Sequence, residues 1–95
     1  MEKRIRFTVG SKKTLQTLHI GVQNRIKSAL KKLARQEIKG KPLREELSGF
    51  GSLIEGDYRV IYKSLFDEIV VFDADHRGVI YEKDRINANG WSKSI

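Results

Sequence analysis

Arg59, Arg77, His76 and Tyr81 are the residues whose types and spacing could do chemistry together. Two are guanidinium groups, always charged and shaped as planar forks of donors. One is an imidazole, the side chain that titrates near neutrality. The last is a phenol, which can donate a hydrogen bond or offer a ring for stacking. They fall in the stretch from Asp57 to Glu82, which reads DYRVIYKSL, a short FDE link, IVVFDAD and then HRGVIYE. Over Asp57–Leu65 the alternation puts Tyr58, Val60 and Tyr62 on one face and Arg59, Ile61 and Lys63 on the other, the pattern of a half-buried strand. Ile69–Phe72 is apolar at every position, which predicts a central strand covered on both sides. Gly78–Glu82 alternates again, and a strand there would set Arg77, Val79 and Tyr81 on a shared face. If that face coincides with the face of Arg59, two guanidinium groups and a phenol look into one space.

The rest of the chain must supply the frame for those strands. Its 95 residues are the length of a single domain, 1–95, with one modest core. No apolar run approaches the roughly 20 residues that span a bilayer, and MEKRIRF lacks the apolar core of a signal peptide. Cysteine is absent, which excludes a disulfide framework and a thiolate metal site. These features predict a cytoplasmic protein with no membrane partner. The net charge of +7 is uneven: 13 of the 19 Lys and Arg lie in residues 1–44, with Glu2 and Glu37 as the acids there. A basic half on an otherwise mixed chain is the footprint of a polyanion binder.

In chain order, Arg4–Val9 alternates around Ile5, Phe7 and Val9 and predicts a first strand broken by Gly10. Ser11 is placed to cap a short helix carrying Leu15 and Leu18. His19 to Gly21 interrupts, with His19 incidental. A longer helix follows from about Val22, its apolar stripe formed by Val22, Ile26, Ala29, Leu30 and Leu33, and it ends near Gly40 before Pro42. The outer surface of that helix carries Arg25, Lys27, Lys31, Lys32 and Arg35. Leu43–Gly49 is a connector, Gly51–Glu55 a short strand, and Gly56-Asp57 a turn signal. Residues 84–95 read as a loose tail. The order β-α-α-β-β-β-β predicts an α+β fold, a mostly antiparallel sheet with two N-terminal helices packed on one face.

KPLREELSGFGSL, GDYRVIYK and HRGVIYE, preceded by two helices of which the longer is basic, resemble the RelE-like toxins of toxin–antitoxin modules. The likeness runs from about Ile5 to Glu82 in the same order of elements. It implies a small endoribonuclease without metal or other cofactor that cuts messenger RNA in the ribosomal A site, and a cognate acidic antitoxin that silences it. It also implies a free toxin that is monomeric. The family's functional arginine of the YR segment falls at Arg59, that of the HR pair at Arg77 beside His76, and the late-strand tyrosine at Tyr81. Ser52–Glu55 carries no basic residue where relatives often have them, and Asp75 stands where a glycine commonly precedes the HR pair.

On that resemblance the chemistry follows from RNA itself, whose 2′-hydroxyl is a nucleophile held next to the scissile phosphate. Arg59 would hold the phosphate oxygens, Arg77 would share the phosphate or sit by the leaving oxygen, Tyr81 would bond the 2′-hydroxyl or stack on a base, and His76 would move a proton. Glu55 is a candidate base if its side chain faces Arg59. The helix cations Arg25, Lys27, Lys31, Lys32 and Arg35 would pair with ribosomal RNA phosphates. The rival from the same superfamily is a ParE-like toxin that inhibits gyrase and cuts nothing. By residue type alone, Arg59 is a surface ion-pair partner for Asp57, Asp73 or Asp75, and Arg77, next to a turn, faces solvent.

Overall fold

The computed structural model describes residues 2–80, the side chain of Glu46 excepted. The elements are β1 (Arg4–Phe7), α1 (Val9–Thr17), α2 (Ile20–Ala34), β2 (Lys41–Pro42), a single 3-10 turn at Glu45–Leu47, β3 (Gly51–Glu55), β4 (Tyr58–Ser64) and β5 (Glu68–His76). One five-stranded sheet has the order β1-β5-β4-β3-β2. β1 runs parallel to β5 and the other neighbours pair antiparallel. The expected α+β class and the two helices on one face are therefore present.

The helices begin and end where local hydrogen bonds dictate. Thr8, not Ser11, caps α1: its Oγ1 accepts from the Ser11 amide at 3.2 Å. Ser11 lies inside the helix and is fully buried, its hydroxyl donating to the Val71 carbonyl of β5 at 2.8 Å. That bond removes the cost of burying a polar group and ties α1 to the sheet. His19 is not incidental, because its Nδ1 accepts from the Gly21 amide at 3.0 Å and caps α2, which starts two residues before Val22. The helix stops at Ala34, well short of Gly40. Gln36 takes φ 63°, and the amides of Gln36 and Glu37 bond back to the carbonyls of Leu33 and Lys32. This is a Schellman closure made without glycine.

The core has two parts, one on each side of the sheet. Under the helices, Leu15, Val22, Ile26, Leu30 and Leu33 meet Leu53, Val60, Tyr62, Ile69, Val71 and Ala74. On the other face, Phe50, Ile61, Val70, Phe72 and Ile80 form a smaller cluster, with Phe50 and Phe72 edge to face at 5.1 Å. β5 is covered on both faces as expected, but it lies between β1 and β4, and β4 holds the middle of the sheet.

One expected strand is absent in the form predicted. β5 continues through Asp73 and Asp75 to His76, and residues 77–80 are a turn in which the Val79 and Ile80 amides both bond to the His76 carbonyl at 3.1 Å. The apolar residue Ile80 is buried by folding back onto the aromatic cluster, not by strand pairing. So Arg77 and Val79 do not share a strand face. Tyr81, Glu82 and the tail over 84–95 lie outside the described residues. The register also slips between Ile61 and Tyr62, leaving Phe72 as the extra residue of a bulge, and this sets Asp73 and Asp75 on the face of Ile61 and Arg59.

Candidate nucleic-acid interface

The turn joining β3 to β4 organises one end of the sheet. Glu55 pairs with Tyr58, so the loop is Gly56-Asp57 alone, and Gly56 supplies φ 58° at the first loop position, where other residues are strained. Two side chains converge on this loop. The Arg59 Nη1 donates to the Gly56 carbonyl at 2.8 Å and to the Tyr58 carbonyl at 2.9 Å. The Arg77 amide donates to the Asp57 carbonyl at 2.8 Å, and its Nε lies 3.6 Å from the Asp57 carboxylate. Both partners of that ion pair are about two-thirds exposed, so water or a competing anion can replace it at little cost.

Cross-strand register decides what surrounds Arg59. Its neighbours are Ile54 on β3 and Asp75 on β5, directly opposite it on either side. Ile54 is about half exposed, an apolar floor where a basic residue would otherwise add charge. The Asp75 carboxylate accepts from the His76 amide at 2.7 Å. Glu55 pairs with Tyr58 and so takes the opposite face, which withdraws it as a base facing Arg59.

His76 also sits on the other side. It pairs with Tyr58, their rings lie edge to face at 5.5 Å, and its Nδ1 accepts from the Gly78 amide at 3.0 Å. The structure thus brings Arg59 and Arg77 to one turn, and sets His76 at the same end of the sheet but on its helix side. Tyr81 falls outside the described residues. Lys63, two residues along the face from Arg59, is held over the Phe50 ring at 4.9 Å.

Arg25, Lys27, Lys31 and Lys32 are exposed on α2, as is Arg35 at its C-cap, on the face of the sheet away from Arg59. Arg35 makes a long, exposed contact with Glu2 at 3.6 Å. Among the described residues no cluster of three His, Asp or Glu side chains could hold a metal ion. No helix there is long and apolar enough to cross a membrane. Sequence reasoning missed the carbonyls of Gly56 and Asp57, which hold the two arginines. Backbone groups leave no residue-type signal, and the turn motif Gly-Asp was the available hint.

The two-helix, five-strand frame and an arginine-bearing turn at its edge place this chain in a known class: it belongs to the RelE-like toxins of toxin–antitoxin modules. Toxin RelG of Mycobacterium tuberculosis (strain ATCC 25618 / H37Rv) is 34% identical over 88 residues, covering 87% of this chain and 100% of RelG. The toxin–antitoxin complex RelBE2 from M. tuberculosis matches with a TM-score of 0.74 and 31% identity, covering 81% of this chain and 100% of that one. A mutant of E. coli toxin RelE in the free state matches with a TM-score of 0.74 over 92% of this chain and 93% of its own, at 15% identity, a likeness of fold alone. No protein-family model matches the chain.

Proposed function

We propose that this toxin is an endoribonuclease, needing neither metal nor other cofactor, that cuts messenger RNA in the ribosomal A site and so blocks translation in the cytoplasm. The observation that carries the reading is the meeting of Arg59 and Arg77 at the Gly56-Asp57 turn, neither guanidinium locked to a buried carboxylate. Arg59 spends Nη1 on two carbonyls, which orients its remaining N–H donors for phosphate oxygens. Arg77 gives up its exposed pairing with Asp57 for the phosphate or the leaving 5′-oxygen.

The reaction is an attack by the RNA 2′-hydroxyl on its own phosphorus. The 2′-proton leaves as the P–O2′ bond forms, the P–O5′ bond breaks, and the 5′-oxygen takes up a proton. The products are a 2′,3′-cyclic phosphate and a 5′-hydroxyl. Arginine donors aimed at the phosphorane oxygens stabilise charge that develops only in the transition state. We assign Tyr81 to the hydroxyl; His76, on the helix side of the sheet with Glu55, is left without a role at the phosphate that Arg59 holds. The cations of α2 and its C-cap, Arg25, Lys27, Lys31, Lys32 and Arg35, bind ribosomal RNA without reading sequence.

A cognate acidic antitoxin silences the toxin, and the free toxin is a monomeric single domain. Relatives of the RelG and RelE type support the nuclease over gyrase inhibition. The test is to induce the protein in cells and map messenger-RNA 5′ ends. Codon-phased cuts that vanish in Arg59→Ala and Arg77→Ala are expected; intact messages during growth arrest would overturn the reading.

A further inference from the structure

Cutting RNA with its own 2′-hydroxyl needs a group that takes the hydroxyl proton, and two of the expected acceptors face the wrong way. Glu55 and His76 both pair with Tyr58, on the helix side of the sheet. A phenol such as that of Tyr81 keeps its own proton near neutrality and donates it to a hydrogen bond. Arg59, Arg77 and Lys63 are cations with no acceptor to offer.

The face of Arg59 supplies carboxylates instead. The bulge at Phe72 shifts the parity of β5 and turns Asp73 and Asp75 to that side. With Asp57 in the turn there are three acids, and their surroundings separate them. Asp57 lies 3.6 Å from the Arg77 Nε, where its charge serves that ion pair. Asp73 is fully buried opposite Ile61, two residues further from the rim and out of reach of a polymer. Asp75 is half-buried and is the direct cross-strand neighbour of Arg59. Opposed residues of an antiparallel pair share a face with their Cβ atoms about 5 Å apart. The Arg59 Nη1 turns to the Gly56 and Tyr58 carbonyls, not to this carboxylate. One Asp75 oxygen accepts from the His76 amide at 2.7 Å, which orients the carboxylate. A carboxylate has about four acceptor positions, so that bond leaves it able to take a proton.

Given the nuclease reading, we infer that Asp75 is the general base that takes the 2′-hydroxyl proton, across the strand pair from Arg59. As the 2′-oxygen closes on phosphorus, its proton passes to an Asp75 oxygen. The P–O5′ bond breaks, the 5′-oxygen takes a proton from water, and Asp75 returns its own to water. Phosphate holder and proton acceptor thus stand on adjacent strands at one register position. Ile54, on the other side of Arg59, offers no rival base.

The test is single-turnover cleavage of a defined message on programmed ribosomes by the whole chain, over a range of toxin concentrations and on both sides of neutral pH. Asp75→Asn keeps the size of the side chain and an acceptor for the His76 amide, and loses the basicity. Its rate constant at saturation should fall about a hundred- to ten-thousand-fold. The half-saturating concentration should stay the same or drop, because a negative charge has left a site for a polyanion. The rate that remains should climb about tenfold per pH unit as hydroxide replaces the missing base, a steeper response than the wild type gives. The charged groups facing Asp75 among the described residues are Arg59 and Lys63 on β4, Asp73 on β5, and Asp57 and Arg77 at the turn. All are kept in the variant, so the change of slope reports Asp75.

Asp75→Glu should recover part of the rate, and Glu55→Gln should cut as the wild type does. Asp75→Ser, which also keeps an acceptor for the His76 amide, should repeat the loss and the slope, and it serves if the Asn variant does not fold. Variants that share the wild-type urea midpoint and cut as fast as the wild type, or faster, overturn the inference and leave the nuclease reading standing. So does a loss that comes with weaker binding and no change of slope. Messages left intact by the wild type remove the nuclease reading, and this inference with it.

Discussion

The two faces of the sheet bury apolar surface by different means. On one, α1 and α2 lay a continuous aliphatic layer over Leu53, Val60, Ile69 and Val71. On the other, no α-helix of the described chain intervenes: Phe50, Phe72, Ile61 and Val70 pack on one another, Leu43 and Leu47 pack against them, and Ile80 closes over them from a turn. The helix-covered face is the thicker of the two. The thin face leaves its rim uncovered, and Arg59 stands on that rim between Ile54 and Asp75. A guanidinium at the edge of a small core can be oriented by backbone carbonyls yet stay within reach of a large polyanion. Under the helices the same residue would be a buried charge needing a partner.

The difference can be probed one face at a time. Ile26 is fully buried on the helix face, so Ile26→Ala should lower the unfolding free energy by about 2–5 kcal/mol in urea titration. Phe72→Leu on the thin face should cost less, about 1–1.5 kcal/mol, since a near-isosteric apolar swap keeps most of the packing. Equal losses would mean that the aromatic cluster matters as much as the helical layer. Arg59→Ala should have the opposite profile. We expect a drop in messenger-RNA cleavage of about a hundred- to a thousand-fold, the size of losing one donor to a developing oxyanion. Its unfolding free energy should change by less than about 0.5 kcal/mol, as for other surface substitutions.

The faces were legible in the sequence to different degrees. Alternation along DYRVIYK placed Arg59, Ile61 and Lys63 opposite Tyr58, Val60 and Tyr62, which is how β4 folds, and the Val22, Ile26, Leu30, Leu33 stripe predicted the buried side of α2. Gly51–Glu55 is a strand over the expected bounds. What failed were features that depend on backbone bonding. Thr8 and His19 cap helices through contacts that no periodicity reports. A left-handed Gln36 ends α2 where a glycine was the expected signal. HRGVIYE alternates like a strand, yet Ile80 reaches the core from a turn, because burial patterns record which residues are covered and not by which backbone path. The bulge at Phe72 shifts the parity of β5, so the faces of Asp73 and Asp75 required coordinates. Arg77 reaches the Gly56-Asp57 turn through its own amide bond to the Asp57 carbonyl, where a strand face shared with Arg59 was expected.

A third place joins the faces: the ring of Tyr62, which passes between Gly40 and Gly51. A Cβ built on Gly51 would lie 2.6 Å from Tyr62 Cζ, too close for any real contact. Gly51→Ala should therefore destabilise by about 1–3 kcal/mol through overpacking. Pairing it with Tyr62→Leu should recover part of the loss, and no recovery would show that the ring is not the obstacle.

The smallest effect concerns the Tyr62 hydroxyl. Burial pushes its pKa above the ordinary phenol value, and a backbone hydrogen bond from Gly40 opposes the shift in part. The folded chain then holds the phenolic proton more tightly than the unfolded chain does. Its contribution to stability is fully present below the unfolded value near 10 and is lost as pH rises through the folded value. The difference in unfolding free energy between wild type and Tyr62→Phe should be constant up to about pH 9 and should then shift against the wild type. Its slope is at most about 1.4 kcal/mol per pH unit. Lysines that titrate in the same range are common to both proteins and cancel in the difference. Parallel curves to about pH 11 would mean that the hydroxyl is as well solvated in the folded chain as in the unfolded one, and that the seam between Gly40 and Gly51 is open to water.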